Sequence, residues 1–350
     1  MYRRQWVLTA ASVLALALAW APACNASAAD PGYHELLLNL EDAGTITQHI
    51  TVTKEKTEAG VTTPSGTADS DYTVTFQADD DGYKVTKSLD HFALTGLPDG
   101  PASPGEKAAM ETALQKVSQI SWPISYAADD SLTPVRIDNF DQVLTRLRKG
   151  MSELLLSSLP KDQPTDAAQL QNVQRSLDAM YANMDAENAT AAFLPDDSLL
   201  GMMHNIALTL NEPVAQEIEL PSPLGGPNIT GKLVVTLVSW DEANNSARVH
   251  YDQQPDPASL KTYLHTTLPQ YMEQAGAPAS DVAKYRKALD DGTAGLDSLT
   301  ITTHCEFDYA IDTGLVRKGD CVKTAGVNMA GASQMSRERR TLSETLKATD

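Results

Sequence analysis

The residues that could do chemistry in this chain of 350 are few and scattered. Its seven histidines (His34, His49, His91, His204, His250, His265 and His304) are dispersed, with no pair at metal-ligand spacing. There is no His-Glu-x-x-His, no Gly-x-Ser-x-Gly elbow, no phosphate-cradling glycine loop and no dinucleotide fingerprint. Asp90-His91 resembles part of a catalytic set, but triads are assembled in space and a dipeptide names no nucleophile. His250 and His304 alternate onto outer strand faces and read as surface histidines. The sequence therefore assigns no catalytic residue, no metal ligand and no cofactor.

Two charged clusters remain. Asp79-Asp80-Asp81-Gly82 reads as a hairpin turn; its acids lack the alternating spacing of an EF-hand loop. Arg337, Arg339 and Arg340 stand together in an acidic chain, as a solvated element face or as a contact for an anionic headgroup or partner. Asn-x-Ser/Thr matches at Asn188, Asn228 and Asn244 bear only on a eukaryotic secretory route.

The cysteines are read with the N-terminus. Arg3 and Arg4 precede an apolar run, Val7 to Trp20, and small residues surround Ala26-Ser27-Ala28. This is the pattern of a signal peptide over residues 1–28, cleaved after Ala28 or Ala29. The expected destination is the periplasm or the exterior, with no transmembrane segment left after cleavage. Two minor alternatives stand beside it: a twin-arginine route through Arg3-Arg4, and a lipid anchor on Cys24. Loss of Cys24 with the signal leaves Cys305 and Cys321, an even pair that an oxidising compartment would join. The formal net charge of −19 becomes more negative by two when Arg3 and Arg4 leave, and such a surface repels nucleic acid.

The elements that must position these residues follow from periodicity. The organising stretch is 125–159. Ser125-Tyr126 leads into a turn at Asp129-Asp130, Val135 and Ile137 alternate with polar residues, and a helix starts at Phe140. Phe140, Val143, Leu144, Leu147, Met151, Leu154 and Leu155 share its apolar face, with Asn139 as N-cap and Gln142 completing a capping box. Upstream, strands run over 33–95, interrupted by a polar loop at Thr57–Ser70. Ser103 caps a short helix bearing Met110, Leu114 and Val117. A second helix spans Asp166–Met184, and a short one Asp196–Asn205. Met180, Met184, Met202 and Met203 read as core. Downstream, Leu233–Trp240 is apolar on both faces, as in a central strand covered on two sides. Helices follow at Pro257–Gln274, kinked or split by Pro269, and at Ser280–Leu289.

The clearest strand places Leu299, Ile301, Thr303, Cys305, Phe307, Tyr309 and Ile311 on one face. A three-residue loop Asp312-Thr313-Gly314 then sets Ile311 against Leu315, Tyr309 against Arg317, Phe307 against Gly319 and Cys305 against Cys321. That register also opposes Glu306 to Asp320, a like-charge pair. The tail, 333–346, is ambiguous between helix and strand and is taken as a final edge strand.

The unit Thr133-Pro134-Val135-Arg136-Ile137-Asp138-Asn139-Phe140 and the hairpin Tyr309-Ala310-Ile311-Asp312-Thr313-Gly314 resemble features of exported bacterial proteins of unknown function that alternate β-hairpins and helices. The second motif has one residue fewer before Thr-Gly. At a greater distance the layout is similar to the half-barrels of periplasmic lipoprotein carriers. The resemblance implies an α+β fold: a curved, mainly antiparallel sheet with amphipathic helices on its concave face. It would form one domain over 29–350, with 29–204 and 205–350 as two similar halves, although no residue-level repeat marks them. It also implies a non-catalytic carrier whose partner is a hydrophobic small molecule or lipid. The alternative is a structural or interaction protein of the cell envelope whose helices fill the sheet. The space between sheet and helices decides between them.

Overall fold

A computed structural model describes residues 32–347, except 59, 97–110, 113, 117, 159–184, 188, 221–227, 275–277, 292–299 and 330–331. Period-two alternation over long stretches yields long strands, and they dominate the molecule. β2 (Ala43–Glu58), β3 (Val61–Asp79), β4 (Gly82–Thr95), β5 (Ile124–Ala128) and β6 (Pro134–Ile137) form a meander running outward. β8 (Val214–Leu220), β9 (Ile229–Asp241), β10 (Ser246–Pro255), β11 (Thr300–Ala310), β12 (Val316–Met329) and β13 (Ala332–Leu346) form a second, running inward. They meet where β13 pairs antiparallel with β2, which gives one open 11-stranded antiparallel sheet, ordered β6-β5-β4-β3-β2-β13-β12-β11-β10-β9-β8. A separate two-stranded sheet joins β1 (Tyr33–Leu36) and β7 (Ile206–Thr209). The fold is α+β, with helices gathered against one face of the sheet.

Three sequence expectations about strands are corrected. The tail is a strand, but an interior one between β12 and β2, not an edge. The expected loop over Thr57–Ser70 is mostly strand: β2 and β3 continue to a turn before Val61. β-branched Thr62, Thr63 and Thr67 favour extension, and Pro64 is accommodated beside a register shift between Lys54 and Glu55. β9 is second from the edge, and from Leu233 to Trp240 only Leu237 is fully buried, so it is not covered on both faces.

The Asp79–Gly82 turn forms as read, with Asp79 opposite Gly82. Gly82 has φ of +133°, and a Cβ there would lie 2.2 Å from the Ala128 carbonyl oxygen, so only glycine fits.

The helices are α1 (Phe140–Ser158), α2 (Ala189–Phe193), α3 (Pro195–Met202), α4 (Pro257–Gln274) and α5 (Ala279–Asp290), and residues 111–112, 114–116 and 118–120 are also helical. α1 begins where its periodicity predicts and buries Val143, Leu144 and Leu147. Asn139 stands at the N-cap position, its carbonyl accepting from the Gln142 and Val143 N–H groups, but its side chain is used elsewhere. Its Oδ1 accepts from the Ser125 N–H (3.0 Å) and its Nδ2 donates to the Pro123 carbonyl (3.1 Å), tying the start of β5 to the start of α1. α4 runs through Pro269 as one element instead of splitting. Met203 is buried, whereas Met202 and Leu114 are exposed. The signal segment, Cys24, the Ser103 cap, Met110, Val117 and the Asp166–Met184 helix with Met180 lie outside the described residues.

The core has two large clusters on the covered face of the sheet. One centres on Val249, Tyr251, Phe307, Tyr309 and Leu237, and the other on Ile46, Val74, Val85, Tyr126, Ile137 and Val143. A third, smaller one packs Leu260, Tyr263 and Leu264 of α4 on Ile229.

In the late hairpin Cys305 faces Cys321, Phe307 faces Gly319 and Glu306 faces Asp320, as read. A bulge between Asp308 and Tyr309 then shifts the pairing, so Tyr309 faces Val316 instead of Arg317. The turn is correspondingly one residue longer: Ala310 pairs with Leu315 and Gly314, at φ of +70°, donates back to the Ala310 carbonyl. Cys305 and Cys321 are joined as a disulfide, Cα–Cα 4.0 Å. The like-charge pair is relieved from the flanks. Arg339 donates to Asp320 (2.9 Å), and His250 lies 3.4 Å from Glu306.

Candidate functional site

Strand parity puts several polar residues on the covered face, between apolar neighbours: Gln48 between Ile46 and Ile50, Lys87 after Val85, Glu344 after Leu342. All three are buried, at 5%, 2% and 5% exposure. Above them lies α3, whose first turn carries Asp196 and Asp197. Two cations rise from the sheet to meet those carboxylates. Lys87 of β4 donates to Asp197 at 2.7 Å and sits 4.3 Å over the Tyr72 ring, and Arg340 of β13 pairs with Asp196 and with Glu338 (2.8 Å). Tyr309 donates from its hydroxyl to the Met203 carbonyl (2.9 Å), holding the other end of α3. Close approach is built in: a Cβ on Gly201 would lie 2.5 Å from the Thr133 Cα.

His204 follows α3 and is buried. Its Nδ1 faces the Ser131 carbonyl at 2.8 Å and its Nε2 the Glu344 carboxylate at 3.3 Å. With Glu344 ionised both partners are acceptors, an arrangement that favours a proton on each ring nitrogen. Burial opposes that charge, but the Glu344 bond and field prevail and raise the His204 pKa. Burial likewise opposes ionisation of Glu344, yet His204, Gln48 Nε2 (3.2 Å) and the Val316 N–H (3.2 Å) hold its pKa below the ordinary value. Burial raises the Asp197 pKa, with Lys87 acting against it. Burial also pushes the Tyr72 phenol up to about 12 and Tyr126 well above its ordinary value.

The charges balance: Lys54, Lys87, His204 and Arg340 against Asp196, Asp197, Glu338 and Glu344. The space beneath α3, lined by Gln48, Tyr126, Asp197, Leu200, His204 and Glu344, is about 10 Å3. That is roughly the volume one water needs. No substrate can enter it. The network therefore fastens α3 to the middle of the sheet and has no room to do chemistry. Larger grooves lie elsewhere and are polar or mixed in lining. One of about 380 Å3 is bordered by Gln216, Glu217, Lys232 and Asp256, and one of about 460 Å3 by Arg136, Asp138, Asn139 and Asp141 at the start of α1.

The residues singled out in the sequence are placed as follows. Asp90 accepts from the Thr73 hydroxyl (2.6 Å), and His91 faces Asp71 across β3–β4. Arg337 and Arg339 are exposed on the outer face of β13, Arg339 paired with Asp320, as the solvated-face reading has it, whereas Arg340, 22% exposed, turns to the covered side and pairs with Asp196. His34 stacks on Trp240 at 4.4 Å. The histidines are less dispersed in space than in sequence. His250 and His304 lie 5.9 Å apart, His304 against Asp252 (2.7 Å), and His49 stands between Asp69 and Asp71. Lys87, Gln48 and Glu344 are marked in the sequence by one signal, a polar residue at an inward position of an alternating strand, whereas Asp197, on α3, carries no such mark.

Among the described residues no helix is long and apolar enough to cross a membrane. No family model matches the chain, and no curated protein matches it either. Among solved structures it is similar to one described as "Lipid-protein interactions in lipovitellin", at 8% identity and a TM-score of 0.35 over 87% of this chain. The chain spans 25% of the length of that lipovitellin chain, and at this identity and score no functional argument passes from one to the other.

Proposed function

We propose that this is an exported, non-catalytic protein of the bacterial cell envelope that works as a structural or interaction protein, its sheet filled by its own helices. The observation that carries this reading is the seal beneath α3. A carrier of acyl chains or another hydrophobic ligand needs an apolar chamber between sheet and helices. At the centre of the sheet that position is occupied by buried ion pairs around a space of about 10 Å3. Export is supported by the N-terminal signal pattern and by the Cys305–Cys321 bond, which suits an oxidising compartment. Native mass spectrometry of protein purified from its own host tests the reading. The mature chain should fly at its bare mass, and a lipid-sized adduct surviving purification would restore the carrier.

A further inference from the structure

The outward face of the sheet carries a row of metal-binding side chains that the sequence disperses over more than 40 positions. In register, His49 of β2 faces Asp71 of β3, and Asp71 faces His91 of β4. Asp69, two residues before Asp71 on the same strand, lies on the same face and faces Thr51. His49 leans into the pair: Nδ1 lies 2.8 Å from Asp71 Oδ1 and Nε2 3.6 Å from Asp69 Oδ2. One donor atom from each of His49, Asp69 and Asp71 falls within 4.8 Å of the other two. The Thr51 hydroxyl donates to Asp69 Oδ2 (2.9 Å), orienting that carboxylate. We propose that His49, Asp69 and Asp71, with His91 as the fourth ligand, form a surface site for a divalent transition-metal cation such as zinc.

Donor chemistry selects the ion. Two imidazoles and two carboxylates make the mixed nitrogen–oxygen set that suits zinc and its neighbours, whereas calcium and magnesium take oxygen alone. Bonds of roughly 2.0–2.2 Å in a tetrahedron place ligand atoms roughly 3.3–3.6 Å apart, so donors that lie within 4.8 Å of one another, one nitrogen from His49 and one oxygen from each aspartate, need to close only slightly on an ion. Charge favours a cation as well. Among the described residues, His49 is the ion-pair partner of both Asp69 and Asp71, so a neutral imidazole leaves two carboxylates uncompensated. The backbone beneath is fixed by three paired strands, so closing on a metal needs side-chain rotation only.

His250, Asp252, His304 and Glu306 provide an internal control on β10 and β11. There each imidazole has its own carboxylate, His304 with Asp252 and His250 with Glu306, and no three donors converge. The test is zinc titration by calorimetry on chelator-stripped mature protein, with circular dichroism to verify folding. The wild type should bind one equivalent. The isosteric double variant Asp69→Asn/Asp71→Asn should lose at least tenfold in affinity, and His91→Asn should weaken it in the same direction. His250→Asn/His304→Asn should leave it unchanged. Absence of binding to wild type, undiminished binding by the aspartate variant, or equal loss in the His250/His304 variant would each overturn the site.

Discussion

Replacing Lys87 with Met tests the seal beneath α3 at its Lys87–Asp197 ion pair. Lys87 and Asp197 are 2% and 4% exposed, and their charged atoms lie 2.7 Å apart. At an effective dielectric constant of about 20, charges at that 2.7 Å separation attract by about 6 kcal/mol. Removing two ions from water costs several kcal/mol each, so the intact pair is close to neutral in net stability. Removal of Lys87 alone leaves Asp197 buried with Asp196 and Glu344 as like charges nearby, and the penalty stands uncompensated. Lys87→Met should therefore destabilise by about 3–5 kcal/mol, and Lys87→Met/Asp197→Asn should regain at least half of that loss. Urea denaturation followed by tryptophan fluorescence reads both, and Trp122, whose ring is 6.0 Å from Lys87 Nζ, reports the local change as well. A cost below about 1 kcal/mol for the single variant would mean that water reaches Asp197, and the argument for a sealed centre would fail.

Three further outcomes are expected. Denatured, unreduced mature protein should show no free thiol, and reducing the Cys305–Cys321 bond, which spans 16 residues, should cost about 3 kcal/mol; two free thiols would refute the pairing. Leu147→Ala should cost about 2–5 kcal/mol, because Leu147 is 8% exposed and packs with Val143 against the sheet; a loss under half a kilocalorie, roughly, would place its face in solvent. The raised His204 pKa implies stability that is full below the ordinary value of 6.5 and declines as pH rises through the higher folded value. The lowered Glu344 pKa implies the converse, a contribution present above 4.5 and lost on acidification through the lower folded value. Denaturation midpoints measured across pH 6 to 9, roughly, should fall in the wild type and flatten in His204→Gln, and an equal slope in both would assign it to another group.

Much of the local structure was legible because it depends on neighbours in sequence. The change of period at Phe140 located α1, and Asp79-Asp80-Asp81-Gly82 located a hairpin. Alternation through Cys305, Phe307 and Tyr309 set a register that held as far as Asp308. It failed beyond that point because a bulge adds a residue without altering the alternation visible in either strand. The interior position of β13 was not legible, since its pairing with β2 joins residues about as far apart as the chain permits, such as Leu346 and Ile46. Asn139 holds the N-cap position, but its side chain is a brace, because Ser125 and Pro123 at the start of β5 lie beside it. The buried network could have been seen: Gln48, Lys87 and Glu344 each break the inward side of a strand. Their partners on α3 could not, because no local pattern says which helix covers which strands. His49, Asp71 and His91 were likewise separate in sequence and meet only through strand register.

Hydrogen exchange at α3 distinguishes a helix fixed to the sheet from one that lifts off it. If the ion pairs of Asp196 and Asp197 and the Tyr309–Met203 bond fix this helix as a permanent part of the fold, its interior amides, including Leu200 and Gly201, can open only with the sheet. Their exchange should then match that of Ile46 and Ile50 in β2 and respond equally to denaturant. Exchange at α3 faster than at β2 by a hundredfold or so would show a helix that lifts on its own, a gate over a concealed chamber, and would contradict the account.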